Sequence, residues 1–429
     1  MNAKPSGRRR FLKVGAATAG LAVGALRAAS GAVAGTDATE LHPKDLHAYG
    51  ERSRFEDSTI RIGSMGRWTT GSGTADFGFR TPLQESVGII TPSSLHYVVS
   101  HGYEPPDIDR RQHRLLIHGM VDRPLIFTMD DLLRLPSLSR THFLECNANS
   151  APFSGPAGAA RIAQTATVQQ THGLTSCSEW TGVAVPLLLE KVGVQKGAAW
   201  LIAEGSEAGE HTKSIPLEKA MDDLLVAYGQ NGEALRPQQG YPLRLLVPGW
   251  EGINNVKWLR RIKVVDKPYM GMRESTKYPS LRMDGKARWF QFEMGPKSVI
   301  TRPSGGQRLT GPGFYEITGL AWSSGGAIRR VEVSTDGGRT WKDAELQGPI
   351  HPKAHTRFGL DWEWNGEEAV LKTRSTDERG EVQPTIEEFA KIWNVDPDYF
   401  QLTSNIVGHF NAIQPWKVNR DGSVRNALL

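Results

Sequence analysis

The sequence contains very little cysteine: Cys146 and Cys177 are the only two in 429 residues. There is no C-x-x-C-H motif, so we expect no haem in this chain, and no Cys/His cluster has the spacing of a zinc site. P-loop, H-E-x-x-H and G-x-S-x-G motifs are also missing, as is a G-x-G-x-x-G that follows a strand. If the chain is a redox enzyme, its cofactor is of another kind and its electrons leave through a partner.

Long apolar runs are also missing beyond the N-terminus. Residues 1–34 contain Arg8 and Arg9 ahead of a Gly/Ala-rich stretch, the pattern of a twin-arginine signal peptide. Ala32-Val33-Ala34 provides a cleavage site. The rival interpretation is a membrane anchor, but Arg27 interrupts the apolar stretch. We therefore predict no membrane anchor and a periplasmic protein that is exported folded.

Excess positive charge disappears once this segment is removed. The formal net charge is +5 and the isoelectric point about 9.1. Residues 1–34 hold six Lys and Arg residues and no acidic residue, so the remaining chain carries a formal charge of −1. Without this excess positive charge, the composition gives no main support for a nucleic-acid partner, and none is expected.

Composition leaves three interpretations open for the two cysteines. In an oxidising compartment, an even number suggests a Cys146–Cys177 disulfide. Two inert buried thiols fit the composition equally well. The third interpretation is that one thiol takes part in chemistry.

Residues 81–270 mix short strands with short helices, which predicts a domain of mixed α+β class after an N-terminal extension at 35–80. "HRLLIHGMV", "YPLRLLVPG" and "KWLRRIKVVD" have the pattern of strands. "TMDDLLRLPS" predicts a helix capped by Thr128. "VPLLLEKVGV" and "LEKAMDDLLVAYG" have helical spacing, and we expect the second helix to end at Gly229.

The pattern weakens at 271–296, which we interpret as a linker, and then becomes all-β. Short strands separated by Gly-rich turns at 297–420 predict an antiparallel sandwich, followed by a tail at 421–429. "STDGGRTW" is an Asp-box hairpin, for which Asp336 and the glycines provide the turn and Trp341 packs beneath it. Turn chemistry explains every residue in this motif, so we interpret it as structural.

Several stretches together resemble the sulfite oxidase family of molybdenum enzymes, and within it most closely the molybdenum subunits of sulfane dehydrogenases. They are "TPSSLHYVVSHG", "HFLECNANS", "GLTSCSEWTGV", "AYGQNGEALRPQQGYPLRLLVPGWEG", "NVKWLRR", "VSTDGGRTW" and "HFNAIQPWKV". They run in family order through nearly the whole chain after the signal. The resemblance implies a mixed α+β molybdenum–molybdopterin domain followed by an immunoglobulin-like domain through which two copies form a homodimer.

The resemblance also implies roles for single residues. Cys146 matches the ligand cysteine, whose thiolate would bind molybdenum. The resemblance therefore favours a ligand role for Cys146 over the disulfide. Tyr228 matches the active-site tyrosine, and the alternative is a purely structural tyrosine packed on the core. Arg357 approximately matches an arginine that reaches the substrate pocket from the second domain. Contacts to the pterin and its phosphate map onto His96, Gln239, Arg244, Asn255, Val256 and Lys257, with a surface cation as the alternative for Arg244.

Two departures from the family bear on the substrate. Sulfite oxidases carry an R-x-H pair where this chain has Ser94-Leu95-His96, and a histidine where it has Gln239. Fewer cations attract a small free oxyanion less strongly. The resemblance therefore implies oxidation of sulfane sulfur on the persulfide cysteine of a carrier protein during thiosulfate oxidation, with electrons passing to a cytochrome c subunit. A sulfite dehydrogenase and a non-redox periplasmic binding protein are the alternatives.

Overall fold

The computed structural model describes residues 78–100, 104–150, 163–282, 284–396 and 409–428. The predicted signal peptide and nearly all of the predicted extension lie outside these residues. Among the described helices, none is both long and apolar enough to cross a bilayer.

Twelve strands precede residue 270 in the described part of the chain. They are β1 (Gly78–Phe79), β2 (Val98–Val99), β3 (Arg114–Gly119), β4 (Leu125–Thr128), β5 (Leu138–Glu145), β6 (Thr175–Ala184), β7 (Trp200–Gly205), β8 (Thr212–Pro216), β9 (Leu225–Gln230), β10 (Glu233–Ala234), β11 (Arg244–Leu246) and β12 (Leu259–Val265). One sheet has the order β10-β9-β6-β5, with β11 also paired to β9, and a second has the order β4-β3-β12-β7-β8. β3 and β12 run parallel, whereas their other partners are antiparallel.

Short helices connect these strands, and all but the second pack in one shared core. They are α1 (Met129–Leu133), α2 (Val168–His172), α3 (Val185–Val192) and α4 (Leu217–Asp222). α1 begins as predicted, because Thr128 forms a capping box with Asp131. Leu188 of α3 packs with Ile117 of β3 and Leu245 of β11, so α3 packs in a core to which both sheets contribute.

The segment 217–229 does not form the single helix that its spacing predicts. α4 ends at Asp222, and after two intervening residues β9 begins at Leu225 and pairs with β6. Residues 225–227 are buried in succession, so this segment lacks the solvent-facing side of an amphipathic helix. Tyr228 therefore lies within a strand.

The segment 271–296, interpreted above as a linker, contains defined elements. A π-helical turn spans Arg273–Lys277 and is followed by the ribbon β13 (Ser280–Leu281) and β14 (Ala287–Arg288). Glu274 is fully buried and anchors the turn to β8, because its carboxylate accepts from Ser214 N (2.6 Å) and Ser214 Oγ (2.9 Å). These contacts join residues that are distant in sequence, so no local sequence pattern predicts them.

The C-terminal part is a two-sheet sandwich, as predicted. Its elements are β15 (Lys297–Arg302), β16 (Gly313–Trp322), β17 (Ile328–Ser334), β18 (Lys342–Asp343), β19 (Glu345–Gln347), β20 (Thr356–Trp364), β21 (Ala369–Asp377), α5 (Ile386–Trp393), β22 (Trp416–Val418) and β23 (Val424–Asn426). The sheet orders are β15-β16-β20-β19 and β18-β17-β21-β22-β23, and both sheets contribute to a common core. The predicted tail thus contributes an edge strand, β23.

The Asp-box lies in this sandwich and is structural. Asp336 Oδ1 accepts from the backbone N–H groups of Arg339 and Thr340, and Oδ2 accepts from Thr340 Oγ1. These hydrogen bonds hold the pKa of Asp336 well below its ordinary value. Trp341 packs against the guanidinium of Arg374 at 4.4 Å.

We predict that Leu188→Ala lowers the free energy of unfolding by about 2–5 kcal/mol, because it removes a side chain that is fully buried in the first core. Leu133→Ala is the matched control, since this side chain is 43% exposed, and its cost should stay within about 0.5 kcal/mol. Urea denaturation of both variants measures the difference, and equal costs would contradict the placement of α3.

Candidate active site

Cys146 lies directly after β5, where the chain leaves the sheet for a tight loop. Its backbone N–H donates to Leu174 O (2.9 Å), and its carbonyl accepts from Asn149 N (2.9 Å). The Asn149 side chain closes the loop, because Nδ2 donates to Glu145 Oε1 (2.9 Å) while Oδ1 accepts from Leu174 N (3.0 Å). Cys146 is half-buried and not in a disulfide, so its thiol is held at a fixed place with one side accessible.

Cys177 differs from Cys146 in its position, in its burial and in the pKa of its thiol. It lies opposite Phe143 in the β5–β6 pair and is fully buried in the core of the sandwich side. Burial raises the pKa of its thiol to about 12. The disulfide interpretation is therefore wrong, and Cys177 is the inert buried thiol.

Cys146 forms part of the wall of a cavity that encloses about 700 Å³ of empty space, some of it open to solvent. The walls come from four parts of the chain: residues 96–100, the end of β5, the 207–211 loop and residues 238–278. Residues far apart in the sequence therefore meet at one place. Of the residues predicted for the site, the cavity brings together Cys146, His96, Gln239, Arg244, Asn255 and Lys257.

Arg244 is a buried cation in this cavity. Its Nη1 donates to Gln239 O (2.9 Å), its Nη2 contacts Asn255 O (3.4 Å), and its guanidinium lies 4.8 Å from the ring centre of Trp180. Its Nε has no hydrogen-bond partner among the described residues. Burial lowers the pKa only to about 10, so Arg244 stays charged at neutral pH. The alternative interpretation as a surface cation is wrong.

Lys257 is a second basic residue nearby, and its side chain is half-buried. Its Nζ donates to two carbonyls, Val99 O (3.1 Å) and Gln238 O (3.0 Å). Burial, reinforced by Arg244, lowers its pKa to about 7. In the described part of the chain, neither Arg244 nor Lys257 forms a salt bridge with a carboxylate, although Glu207 acts electrostatically on Lys257 and partly opposes the lowering of its pKa. An anion bound between them would therefore gain one buried and one half-buried donor.

The remaining predicted cofactor residues shape the cavity. Gln239 Nε2 donates to Tyr97 O (3.0 Å), and His96 stacks on the Tyr97 ring at 5.2 Å. The side chain of Asn255 holds the preceding turn, since its Oδ1 accepts from Val247 N (2.7 Å). Val256 packs in the first core rather than in the cavity wall, so the structure gives its side chain no ligand contact.

The two residues predicted as catalytic do not line this cavity. Tyr228 borders a separate surface depression beside β10. Arg357 lies on β20 and donates to the carbonyls of Ser86 (2.9 Å) and Gly88 (2.9 Å). The structure thus gives no support in this chain for a role of either residue at the Cys146 cavity.

Tyr278 and Tyr97 occupy the cavity wall instead, and Arg273 accompanies them. Burial and the nearby Cys146 thiolate raise the pKa of both phenols well above 10, so both remain neutral hydrogen-bond donors. Tyr278 and Arg273 were not predicted as site residues from the sequence, because they lie in the segment interpreted as a linker. The "RESTKY" stretch offered a signal, since it combines two cations with a tyrosine inside an otherwise weak pattern.

Glu251 adds a buried carboxyl next to the cavity residue Gly252. Its Oε1 has no hydrogen-bond partner among the described residues. Burial raises its pKa to about 8, an effect that Lys213 opposes and Glu145 reinforces. At neutral pH the carboxyl therefore holds a proton.

The donor set fits a metal that is held mainly by a non-protein chelator. Among the described residues, no three His, Cys, Asp or Glu side chains cluster as metal ligands. One accessible thiol, the buried Arg244 and the half-buried Lys257 suit a metal bound by a single protein thiolate and an organic group that carries a phosphate. A molybdenum–molybdopterin cofactor has this chemistry: Cys146 would hold the metal, while Arg244 and Lys257 would hold the phosphate.

Comparison with known proteins identifies the class. An oxidoreductase molybdopterin binding domain matches residues 101–273, and a Mo-co oxidoreductase dimerisation domain matches residues 288–400. The chain belongs to the sulfite oxidase family of molybdopterin enzymes. It is therefore an oxidoreductase with a molybdopterin-binding domain and a dimerisation domain, which confirms the family and the fold class inferred from the sequence.

Particular relatives differ in their extent of similarity. The sulfane dehydrogenase SoxCD from Paracoccus pantotrophus matches with 39% identity and a TM-score of 0.81, over 93% of this chain and 96% of that chain. NADH nitrate reductase from Solanum lycopersicum is 33% identical over 83% of this chain, and the enzyme from Ulva prolifera is 29% identical over 73%. The chain spans only about two fifths of the length of these nitrate reductases.

We predict that Lys257→Met weakens cofactor binding about 10- to 100-fold, because one charge-assisted hydrogen bond contributes about 1.5–3 kcal/mol. Molybdenum and pterin retained per chain after dialysis report the effect. Lys263→Met, on the exposed face of β12, is the matched control. Equal retention in the two variants would remove Lys257 from the binding site.

A second prediction concerns pH. The Glu251 carboxyl ionises near 4.5 in the unfolded chain and near 8 in the folded chain. Between these values folding must take up a proton, so the wild type loses stability as pH rises, by up to about 1.4 kcal/mol per unit. Glu251→Gln carries no such cost.

The measurement is urea denaturation of the cofactor-free protein between pH 5 and pH 8. The stability of Glu251→Gln relative to the wild type should increase steadily over this range. The exposed Glu218→Gln on α4 is the control. A difference that is the same at every pH would show that the Glu251 carboxyl does not titrate as described.

Proposed function

We propose that this chain is the molybdenum subunit of a periplasmic enzyme that oxidises sulfane sulfur carried on a cysteine of another protein. The observation that carries the proposal is the match to sulfane dehydrogenase over nearly the full length of both chains. The nitrate reductases match over only part of their own length. The neutral Gln239, at a position where sulfite oxidases carry a histidine, also favours a substrate other than a small free anion.

The residues of the cavity have separable tasks in this function. When bound, the molybdenum–molybdopterin group supplies oxygen-atom transfer with water as the oxygen source, together with two-electron redox chemistry. Cys146 would anchor the metal, and the buried Arg244 and the half-buried Lys257 would fix the orientation of the anionic part. Tyr97 and Tyr278 are neutral phenols, so they can donate hydrogen bonds to an oxygen in the cavity without repelling it.

The electrons are proposed to leave through a cytochrome c subunit, because the sequence has no c-type haem motif. The twin-arginine pattern at residues 1–34 supports export of the folded chain to the periplasm. A homodimer through the C-terminal sandwich is part of the proposal and draws on the dimerisation-domain match.

Nitrate reduction is a second candidate function, favoured by the 33% identity to a plant nitrate reductase. A sulfite dehydrogenase with the same cofactor is a third. The three differ in substrate and in the direction of electron flow, so one set of assays separates them.

The test is to purify the native complex and compare three substrates: a persulfide-bearing carrier protein, free sulfite and nitrate. Cytochrome c reduction follows the first two, and oxidation of a reduced donor follows the third. We expect kcat/KM for the carrier-bound sulfur to exceed that for sulfite by at least ~10-fold, with no nitrate turnover. Faster turnover of sulfite or of nitrate would overturn the proposal.

We predict that Cys146→Ser abolishes this activity while the far-ultraviolet circular dichroism stays unchanged, because the hard hydroxyl replaces the only accessible thiolate. Cys177→Ser is the control, since this thiol is buried in the core of the sandwich side, and it should keep most of the activity. An active Cys146→Ser protein would refute the ligand assignment.

A further inference from the structure

The residue before Cys146 is a completely buried carboxylate that, besides Asn149 of its own loop, has partners from the C-terminal domain. Glu145 Oε1 lies 2.6 Å from Lys297 Nζ at the start of β15, and both side chains are essentially inaccessible to solvent. Glu145 Oε2 accepts from Trp322 Nε1 of β16 at 2.7 Å. Two strands of the sandwich thus hold the residue next to the proposed metal ligand.

The same ammonium also holds the other end of the cysteine loop. Lys297 Nζ donates to Ser150 Oγ (2.9 Å), and Ser150 Oγ in turn donates to Phe410 O (2.7 Å). Glu145 and Ser150 bracket the loop that carries Cys146. A single cation from the C-terminal domain therefore fixes both ends of this loop.

Stability alone does not account for this arrangement. Removing two charges from water is costly, and a buried ion pair can commonly be replaced by apolar side chains without loss of stability. The structure has another ion pair between the two domains, Lys353 Nζ to Asp223 Oδ2 at 2.6 Å, which keeps some solvent contact. The buried Lys297–Glu145 pair differs from the Lys353–Asp223 pair in its position, because Glu145 directly precedes Cys146 in the chain.

We propose that Lys297 is a positioning residue that sets the place of the Cys146 thiol through Glu145 and Ser150. The C-terminal domain then has a task at the metal site besides dimerisation. The inference concerns the cysteine loop and holds whichever substrate the enzyme oxidises. It therefore stands or falls separately from the proposed sulfur chemistry.

The test compares Lys297→Met with Lys353→Met in the full chain. Each variant removes one ammonium from an ion pair between the two domains, and each is measured at the same interval below its own melting temperature. In cofactor-free protein, the rate of Cys146 alkylation by iodoacetamide reports the position of the thiol, with the buried Cys177 as internal reference. We expect Lys297→Met to alkylate several-fold faster than the wild type and Lys353→Met to match the wild type.

The molybdenum-loaded protein gives a second readout. The electron paramagnetic resonance spectrum of the half-reduced metal depends on the geometry of its thiolate ligand. We expect Lys297→Met to shift this spectrum and Lys353→Met to leave it unchanged. Equal alkylation rates and spectra in the two variants would show that Lys297 only joins the domains, and would overturn the proposal.

Lys297→Met can fail to fold, because it leaves Glu145 buried without its cation. Ser150→Ala then replaces it, since this change removes only the hydroxyl that connects Lys297 to the far end of the loop. Faster alkylation of Cys146 in this variant supports the proposal. A wild-type rate in Ser150→Ala would contradict it.

Discussion

Two basic side chains of the cavity, neither of which has a salt bridge with a carboxylate among the described residues, impose the main constraint on this structure. Arg244 is buried and Lys257 is half-buried, and burial of such groups disfavours their charged forms and lowers the pKa of both. Backbone carbonyls and the face of Trp180 offset part of that cost. The arrangement is therefore that of a site for an anion. The phosphate of the molybdopterin group would provide the negative charge that Arg244 and Lys257 lack.

The other features of the site follow from bringing a thiolate to this anion. Cys146 comes from the end of β5, Lys257 precedes β12, and Tyr278 follows a π-helical turn. None of these segments is adjacent in sequence, so the sheets must hold each in place. Buried polar anchors do this: Asn149 closes the cysteine loop, and Glu274 ties the π-helical turn to β8.

Sequence reasoning succeeded where the signal was local. Thr128 caps α1 as its position before "MDDLL" predicts, and the Gly-rich spacing beyond residue 297 correctly indicated a sandwich. It failed where a tertiary contact decided the outcome. The stretch ending at Tyr228 has helical spacing, yet pairing with β6 makes it a strand. The segment around Glu274 has only a weak pattern and is held by Ser214 of a distant strand.

The sequence by itself determined the family and the two-domain order and predicted Cys146 as the metal ligand, because long motifs and turn chemistry depend on consecutive residues. Only the tertiary structure decided which tyrosines and cations face that thiol. Tyr278 lies in the cavity and Tyr228 outside it because strand pairing and buried hydrogen bonds join residues far apart in the chain. The contact of Lys297 with Glu145 has the same origin: burial gives an ion pair its position, and burial arises only when the two domains pack together.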